Sequence, residues 1–519
     1  MDRRTFLRGG VGVALAAGVS ARGGAAAATD PGPGPYGAID GRSPDDNGLI
    51  LPEGFLSRVV AVSGDPVGGT GYEWPLFPGG AATFPDDDGG GWYYACNSVV
   101  YDYLTPWRPM GGASAIHFDQ SGAVQDAYRI LEGSHSNRDG GPTPWGTWLS
   151  CEQDFDGDGL IWECDPTGAR PGVAHEAMGH RSHGSAAVDS TNGVVYMTEA
   201  ERDGLLYRFT PEVGGDLSAG HLEAMVLEAG STVRWEAVTD PTGSGTPARR
   251  QVPGAFVTPI GGGIWYRDGW VWFTTSLDNR VHALDLVNQR YLVVWDGIGN
   301  RQPLVGIAGL TVAPASADLF VAEDRGNMEL VLIGAEGDVA PFARFADPTH
   351  RLSEVTGPCF DPAGERLYFS SLRGPGSRLT RDVIADIDWG DAPEGLMVGV
   401  TYEVTGPFRG VATAVQEIPA SPTSVPVASA AGDPPAVATT TAASTLPTTL
   451  VTTTVPAVTV PRPVETLAAS VQQDTVGESS RRGTGVALAA GIAVLGGVLA
   501  VRRRGRGDRD GGGSDERGS

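Results

Sequence analysis

The 519-residue sequence contains no lysine, so arginine supplies all 37 of its Lys and Arg residues. The 62 acidic residues outnumber them, and the formal net charge is −25. Surfaces that bind nucleic acid are basic, so this balance excludes a nucleic-acid-binding protein. An acidic surface favours solubility and is also suited to divalent cations.

Cysteine is scarce as well, with only four residues: Cys96, Cys151, Cys164 and Cys359. Four cysteines in a chain of this length are too few for a disulfide scaffold, although two disulfides could form outside the cell. Cys96 and Cys151 occupy the same register on two predicted neighbouring strands. We therefore expect these two residues either to pair with each other or to leave one thiolate for a metal.

Common catalytic signatures are missing too. The sequence has no Gly-x-Ser-x-Gly elbow, no phosphate-cradling glycine loop and no His-Glu-x-x-His helix. Residues 36–410 contain no long amphipathic helical pattern. These absences exclude a serine hydrolase of the elbow type, a P-loop enzyme, a zincin protease and a helical fold.

The two ends of the chain are not globular in composition. Residues 1–28 have a basic start with Arg3-Arg4, an apolar run and four alanines, which predicts a twin-arginine signal peptide, with a general secretory signal as the alternative. Residues 418–482 are rich in Thr, Pro and Ala and predict a disordered linker. The uncharged residues 483–501 would span about 28 Å as a helix, and three arginines follow at 502–504.

This pattern predicts a membrane helix, a basic and Gly-rich cytoplasmic tail over residues 502–519, and a body held on the outer face of the cytoplasmic membrane. Attachment to the cell wall by a sortase is the alternative.

Six segments of the body share one pattern, an aromatic or β-branched run followed by a small residue and then a polar or acidic one. They are residues 92–97, 147–152, 195–199, 271–276, 319–323 and 367–371. Their last residues are separated by 55, 47, 77, 47 and 48 positions. A strand-centred repeat near 50 residues is typical of a β-propeller blade.

The sequence thus predicts an all-β, six-bladed propeller over residues 36–410, closed by residues 400–404 or 57–61. A β-sandwich is the alternative. If these segments are the innermost strands, Glu152, Glu199 and Glu323 converge on the central channel and form a cation site.

A separate acidic segment follows Cys151. Asp154, Asp156 and Asp158 alternate, Gly159 comes next, and Asp165 is the twelfth residue counted from Asp154. This is the oxygen spacing of a calcium loop, except that aspartate replaces the usual closing glutamate. The segment predicts a calcium site, or a solvated Asp- and Gly-rich turn.

The block Trp145-Gly146-Thr147-Trp148-Leu149-Ser150-Cys151-Glu152 resembles the PhoX-type alkaline phosphatases. Further similar segments include residues 47–55, 195–199, 206–209, 323–327 and 354–369. The resemblance covers most of the predicted propeller. It implies a twin-arginine-exported propeller that hydrolyses phosphomonoesters with calcium and iron, and we expect such a protein to be a monomer that acts on phosphorylated small molecules.

Carried over to this sequence, the resemblance implies that Cys151 is an iron ligand and that Glu199 and Glu323 are metal ligands. It places the following residues in or near a calcium cluster: Glu152, Asp278, Asn279, Asp324, Asn327 and Glu354. Independently of the resemblance, the spacing of His180 and His183, with His175 near, indicates either a further ligand cluster or surface histidines in a Gly-rich loop.

The sequence departs from the family where acids are expected, at Ser98-Val99, Gly184, Ala200 and residues 261–264. The retained acids favour a surface-anchored, metal-dependent phosphatase. The missing ones favour a propeller that binds a ligand or partner without catalysis. A calcium-dependent, lactonase-like hydrolase is a third possibility.

Overall fold

A computed structural model describes residues 32–411, apart from 88, 102–110, 299–302, 325–326, 335–336, 349, 351–352 and 375–398. The predicted signal peptide, linker, membrane helix and tail all lie outside these residues. Within the described part of the chain, no helix is both long and apolar enough to cross a membrane.

The regular secondary structure of the described residues is almost entirely β, with 26 strands and short 3-10 turns at Glu176–Met178, Ala229–Ser231 and Ala248–Arg250. In chain order the strands are β1 (Leu49–Ile50), β2 (Leu56–Val62), β3 (Pro78–Pro85), β4 (Trp92–Ser98), β5 (Gly112–Phe118), β6 (Val124–Leu131), β7 (Asn137–Pro142), β8 (Trp148–Glu152), β9 (Ile161–Cys164), β10 (Val173–Ala174), β11 (His183–Val188), β12 (Val195–Glu199), β13 (Leu206–Val213), β14 (Asp216–Leu227), β15 (Val233–Ala237), β16 (Gly261–Arg267), β17 (Trp270–Thr275), β18 (Arg280–Asp285), β19 (Arg290–Asp296), β20 (Ile307–Val312), β21 (Leu319–Glu323), β22 (Glu329–Ile333), β23 (Val339–Phe345), β24 (Val355–Phe360), β25 (Arg366–Ser371) and β26 (Val400–Thr405).

These strands form six antiparallel sheets, which confirms the predicted six-bladed propeller and not a sandwich. Blade 1 is β3–β6, blade 2 is β7–β10, blade 3 is β11–β15, and blade 4 is β16–β19. Blade 5 is β20–β23 with β1 at its edge. Blade 6 is β24–β26 with β2 outermost.

The ring is closed by the two segments that the sequence offers as alternatives, because β2 pairs with β26. An N-terminal strand thus completes the C-terminal blade. Arg58 on β2 and Arg366 on β25 both bind Glu403 on β26, with N–O distances of 2.7 and 2.8 Å. The same two guanidinium groups also donate to main-chain carbonyls of Gly122 and Ser121 in blade 1. These contacts fasten the last blade to the first.

The hydrophobic core is divided among the spaces between blades. Six buried clusters each combine side chains of two adjacent blades, and together they run around the whole ring. The first strands β3, β7, β11, β16, β20 and β24 contact one another in succession around the axis. Each blade therefore packs face to face with two neighbours, and its first strand lines the centre.

The four cysteines are free and buried. Cys96 lies in the core between blades 6 and 1, whereas Cys151 lies in the core between blades 2 and 3. The expected Cys96–Cys151 pair is therefore wrong. Both residues are on second strands, but they are not at equivalent positions. Ser98 and Glu152 are equivalent, because each pairs with the first residue of its innermost strand, Pro78 and Asn137. Cys96 lies two residues before Ser98, whereas Cys151 lies one residue before Glu152.

A buried histidine gives the fold a predictable pH dependence. The His282 ring lies 2.7 Å from both the Thr275 and the Tyr291 hydroxyl oxygens. Burial, and secondarily Arg280, lowers the pKa of His282 to about 3. Because its pKa in the unfolded chain is about 6.5, only the unfolded chain takes up this proton as the pH falls from 6.5 towards 3.

The wild-type protein should lose stability when the pH falls from 7 to 5, and we expect His282→Gln to lose less. The linkage relation gives about 2 kcal/mol for the histidine at pH 5. Urea unfolding at the two pH values measures this difference, with exposed His221→Gln as the matched control. An unchanged pH slope in the His282 variant would contradict the prediction.

Candidate functional site

The three glutamates that the sequence assigns to the channel lie one strand further out. Glu152, Glu199 and Glu323 end the second strands of their blades and pair with the first residues of the innermost strands. The interpretation of their segments as innermost strands is therefore wrong. Second strands are covered on both edges and both faces, so they carry the clearest apolar pattern, whereas the strands at the axis are rich in glycine.

Each innermost strand breaks its register with its neighbour after one or two residues, at the same place in all six blades. The two unpaired residues of each irregularity lie on the innermost strands, which contact one another around the axis, and we call these twelve positions the hub. They are Gly79, Gly80, Arg138, Asp139, Gly184, Ser185, Gly262, Gly263, Ala308, Gly309, Gly357 and Pro358.

The hub is closed by main-chain packing between adjacent blades. A Cβ atom on Gly184 would overlap the carbonyl oxygen of Gly261, and one on Gly262 would lie 2.8 Å from the carbonyl oxygen of Ala308. A Cβ atom on Gly357 would overlap the carbonyl oxygen of Gly79. These distances are shorter than any ordinary carbon–oxygen contact, so the hub needs glycine there.

Arg138 and Asp139 are the only ionisable residues of the hub. The Arg138 guanidinium donates to Oε1 of Glu354 in blade 6. The Asp139 carboxylate accepts from the Gly140 N–H at 2.9 Å and lies directly against Gly80. Burial raises the pKa of Asp139 to about 7, which places its proton exchange near neutral pH.

Further polar groups interact with Arg138, at the end of the channel where the second strands of the blades finish. Tyr101, Asp324, Arg373 and Glu354 all interact electrostatically with one another or with Arg138. The Tyr101 hydroxyl donates to Gln153 Oε1 at 2.8 Å. We call these five residues, Arg138, Glu354, Tyr101, Asp324 and Arg373, the channel-end cluster.

Glu152 and Glu323 are held by donors of the loops next to their strands. Glu152 accepts from the Ser134 hydroxyl at 2.6 Å and from the Leu160 N–H at 2.9 Å. Glu323 accepts from the N–H groups of Val305 at 2.8 Å and Glu329 at 3.1 Å, while burial raises its pKa to about 8. Each glutamate thus ties down the loop that follows its own strand.

Glu199 and Cys151 lie between blades 2 and 3. Glu199 accepts from the Tyr207 hydroxyl at 2.9 Å and from Arg249 at 3.1 Å. Burial raises the pKa of the Cys151 thiol well above its ordinary value, and the nearby Arg181 acts in the opposite direction. The two residues that the family resemblance assigns to metal therefore have arginines as neighbours.

Asp278 and Asn279 form a structural corner of blade 4. Asp278 accepts from Arg280 at 3.1 Å and from the Thr275 hydroxyl. The Asn279 side chain uses both its oxygen and its nitrogen on the main chain around residues 297–307, with contacts of 2.8 to 3.3 Å. No capacity of the Asn279 amide remains for a metal.

The structure does not bring Asp324, Glu354 and Asn327 together as one group. Asp324 and Glu354 belong to the channel-end cluster, whereas Asn327 is exposed in the turn between β21 and β22. His175 is bound to Glu163 at 2.8 Å, away from His183, whose Nε2 faces the Gly179 carbonyl at 2.9 Å.

The acidic segment does not close as one twelve-residue loop. Asp154 accepts from the Asp156 N–H at 2.8 Å, and Asp156 and Asp158 are exposed in the turn before β9. Asp165 follows the far end of β9, where it binds Thr167 and Arg170. A strand thus separates the closing acid from the others, and calcium binding by Asp154, Asp156 and Asp158 stays a prediction.

Within the described ranges, no group of three or more His, Cys, Asp or Glu side chains is already arranged as a metal site. The donor set itself fits a metal poorly, because guanidinium groups already engage three of the proposed carboxylates. These ion pairs are Arg249 with Glu199, Arg280 with Asp278, and Arg138 with Glu354. The calcium and iron of the resemblance therefore enter none of the chemistry proposed for this chain.

Sequence reasoning missed Arg138, Asp139 and Arg181. The sequence does contain a signal for Arg138 and Asp139, because small residues occupy nearly all the equivalent positions of the other innermost strands. Aligning the blades on Gly79-Gly80 and Gly262-Gly263 makes Arg138-Asp139 an exception to that rule. For Arg181 the signal is weak, since only its position between two histidines distinguishes it.

The molecule is thus a six-bladed β-propeller whose ionisable hub residues lie on one innermost strand, among the glycine-rich strands at the axis. The alkaline phosphatase PhoX family matches residues 105–291, which confirms the resemblance read from the sequence. Pseudomonas fluorescens PhoX, solved in complex with vanadate, a transition state analogue, is similar in fold, with a TM-score of 0.55 and 16% identity over 69% of this chain and 96% of that one.

Two further solved structures are less similar. A gluconolactonase from Xanthomonas campestris has a TM-score of 0.36 and 11% identity over 68% of this chain and 89% of that one. A calcium-binding regucalcin from Agrobacterium tumefaciens has a TM-score of 0.32 and 14% identity over 68% of this chain and 96% of that one. No curated protein gives a significant match.

Proposed function

We propose that this protein is a PhoX-like propeller that binds phosphorylated small molecules at the channel-end cluster. The observation that carries the proposal is the Arg138-Asp139 pair, the sole ionisable pair in a hub that otherwise consists of Gly, Ala, Ser and Pro. A guanidinium group matches the geometry of a phosphate and stays charged at all physiological pH values. Arg373, in the same cluster, supplies a second one.

In this arrangement the phosphate of the ligand competes with Glu354 for Arg138. The remaining cluster residues select among ligands. Tyr101 can form a hydrogen bond through its phenol hydroxyl, and Asp324 disfavours ligands that bring additional negative charge. Asp139, with a pKa of about 7, exchanges its proton close to neutral pH. It is therefore the residue most suited to respond to the ionisation of a bound phosphate, whose second pKa is about 6.

Hydrolysis of the phosphomonoester is the second candidate, and the match to the alkaline phosphatase PhoX family favours it. Two ion pairs argue against metal-dependent hydrolysis, because arginines occupy candidate metal ligands: Arg249 binds Glu199, and Arg280 binds Asp278. The lactonase-like alternative has no support beyond the sequence pattern, because the lactonase neighbour is similar only at a TM-score of 0.36.

The location of the protein belongs to the same proposal. The twin-arginine signal and the apolar residues 483–501 predict an exported body anchored to the outer face of the cytoplasmic membrane. Protease treatment of intact spheroplasts should then degrade the propeller while cytoplasmic marker proteins survive. Protection of the propeller until the membrane is broken would contradict this location.

Calorimetric titration of the purified protein with p-nitrophenyl phosphate tests the binding site. We expect saturable binding that Arg138→Ala weakens at least about tenfold, because a charge-assisted guanidinium–phosphate bond contributes about 1.5–3 kcal/mol. The control is Arg234→Ala, which removes an arginine from an exposed ion pair with Glu228. Equal affinity of the two variants would place the ligand elsewhere.

The same titration mixtures separate binding from hydrolysis. Release of p-nitrophenol, followed with and without added calcium and iron(II), reports turnover. Saturable binding without release supports a binding protein. Metal-stimulated release by the wild-type protein would instead favour the phosphatase.

A further inference from the structure

The segment between β10 and β11 concentrates polar atoms that have no partner. Five buried side-chain atoms without a hydrogen bond fall on four successive residues: Nε2 of His180, Nε and Nη1 of Arg181, Oγ of Ser182 and Nδ1 of His183. Buried polar groups in folded proteins nearly always have a partner. A group of exceptions at one place therefore indicates a special site.

Arg181 is the most unusual member of this group, because its side chain is buried and only 2% of the residue is exposed. Its guanidinium carbon lies 4.2 Å from the centre of the Tyr207 ring, and Nη2 faces the Met197 sulfur at 3.4 Å. Among the described residues, no carboxylate forms a direct ion pair with it. A buried charge of this kind is costly unless surrounding groups compensate for it.

Two of the proposed metal ligands interact with this charge, and the Glu199 carboxylate is the one that compensates for it, because burial keeps the Cys151 thiol protonated. Arg181 interacts electrostatically with Glu199 and Cys151. It lies on the face of Tyr207, whose hydroxyl donates to Glu199 at 2.9 Å. A positive charge is thus held against the aromatic face, the thiol and the carboxylate together.

We infer that the Arg181 guanidinium occupies the position of a bound cation between Cys151 and Glu199, so that this part of the molecule holds its positive charge as a side chain and not as a metal ion. The two small neighbours of the ligands agree with this assignment. Gly184 follows His183 and has no room for a side chain beside Gly261, and Ala200 follows Glu199 and is buried. The carboxylate oxygens that would complete the coordination of a metal ion are therefore missing at the place that the guanidinium occupies.

Cobalt(II) is a suitable probe, because its bond to a thiolate gives an intense charge-transfer absorption that oxygen ligands do not give. We expect no such absorption when cobalt is added to the full-length wild-type protein. Arg181→Met keeps the apolar stem and removes the charge, and we expect it to bind about one cobalt ion with the thiolate absorption. Arg181→Met/Cys151→Ser should lose the absorption again.

A matched control is Arg208→Met, since Arg208 also lies on an aromatic ring of blade 3, at 4.9 Å from the Trp235 ring, but with no cysteine nearby. This control should behave as the wild type. Thiolate-bound cobalt in the wild-type protein, or its absence from a folded Arg181→Met protein, would overturn the inference. If Arg181→Met does not fold, Arg181→Gln replaces it, and the wild-type titration remains decisive.

The Arg181 site and the proposed phosphate site are tested by different signals. The cobalt measurement reports the space between blades 2 and 3, whereas p-nitrophenyl phosphate reports the channel-end cluster. Failure of either experiment leaves the other interpretable. Calcium bound by the acidic turn at Asp154, Asp156 and Asp158 would not disturb the signal, because that turn contains no sulfur.

Discussion

Gly184→Glu, which restores the acid that the PhoX resemblance leads one to expect, should lower the free energy of unfolding by about 4 kcal/mol. The new Cβ atom would overlap the Gly261 carbonyl oxygen and lie 2.6 Å from the Thr198 hydroxyl oxygen. Overpacking costs about 1–3 kcal/mol, and a buried, unpaired carboxylate adds a comparable amount. Urea unfolding of the two proteins measures the difference.

Gly214→Glu is the control, because Gly214 is exposed and a Cβ atom added there would meet no other atom within 4 Å. This variant should unfold within about 0.5 kcal/mol of the wild type, as is usual for surface substitutions. If Gly184→Glu is equally stable, the hub can open to admit side chains. The closed hub would then be no obstacle to a metal cluster.

Glu403→Ala should cost about 3 kcal/mol, because it removes the residue on which the closure of the ring depends. The Glu403 carboxylate is 2% exposed and accepts from Arg58, Arg366 and the Tyr368 hydroxyl, at 2.7 to 2.8 Å. Removing one partner of a buried charge network leaves the others uncompensated, which typically costs about 3–5 kcal/mol. The lower end of this range applies, since both arginines are partly exposed.

Thermal and urea unfolding should both show this loss. The control is Glu53→Ala, because Glu53 is 91% exposed and lies 4.0 Å from Arg42. Exposed pairs of this kind contribute about 0–1 kcal/mol. Equal effects of the two substitutions would mean that the β2–β26 strand pairing closes the ring without help from the charged contacts.

The repeat of apolar segments predicts the six blades and the closure of the ring because each blade must bury two faces against its neighbours. That requirement appears in the sequence as apolar residues at fixed intervals. It cannot distinguish the first strand of a blade from the second, however. The pattern therefore assigns the segment ending at Glu199 to the axis, although the glycine-containing β11 lies there.

The candidate site is less predictable. The resemblance identifies Cys151, Glu199 and Glu354 as residues of interest, but each has an arginine neighbour from a distant part of the sequence or from another blade. Arg249 reaches Glu199 from 50 positions away, and Arg138 reaches Glu354 from 216 positions away. Spacing along the chain carries no information about such encounters.

By itself, the sequence determined the class of fold, because the alternation of apolar strands and turns is a local property that repeats from blade to blade. It also determined the chemical inventory: no lysine, many acids, and glycines in the first strands. Only the tertiary structure decided which charges meet, since the ring brings the inner strands of all six blades within contact of one another. Electrostatic interactions depend on those distances through space, and the same acids therefore became partners of arginine.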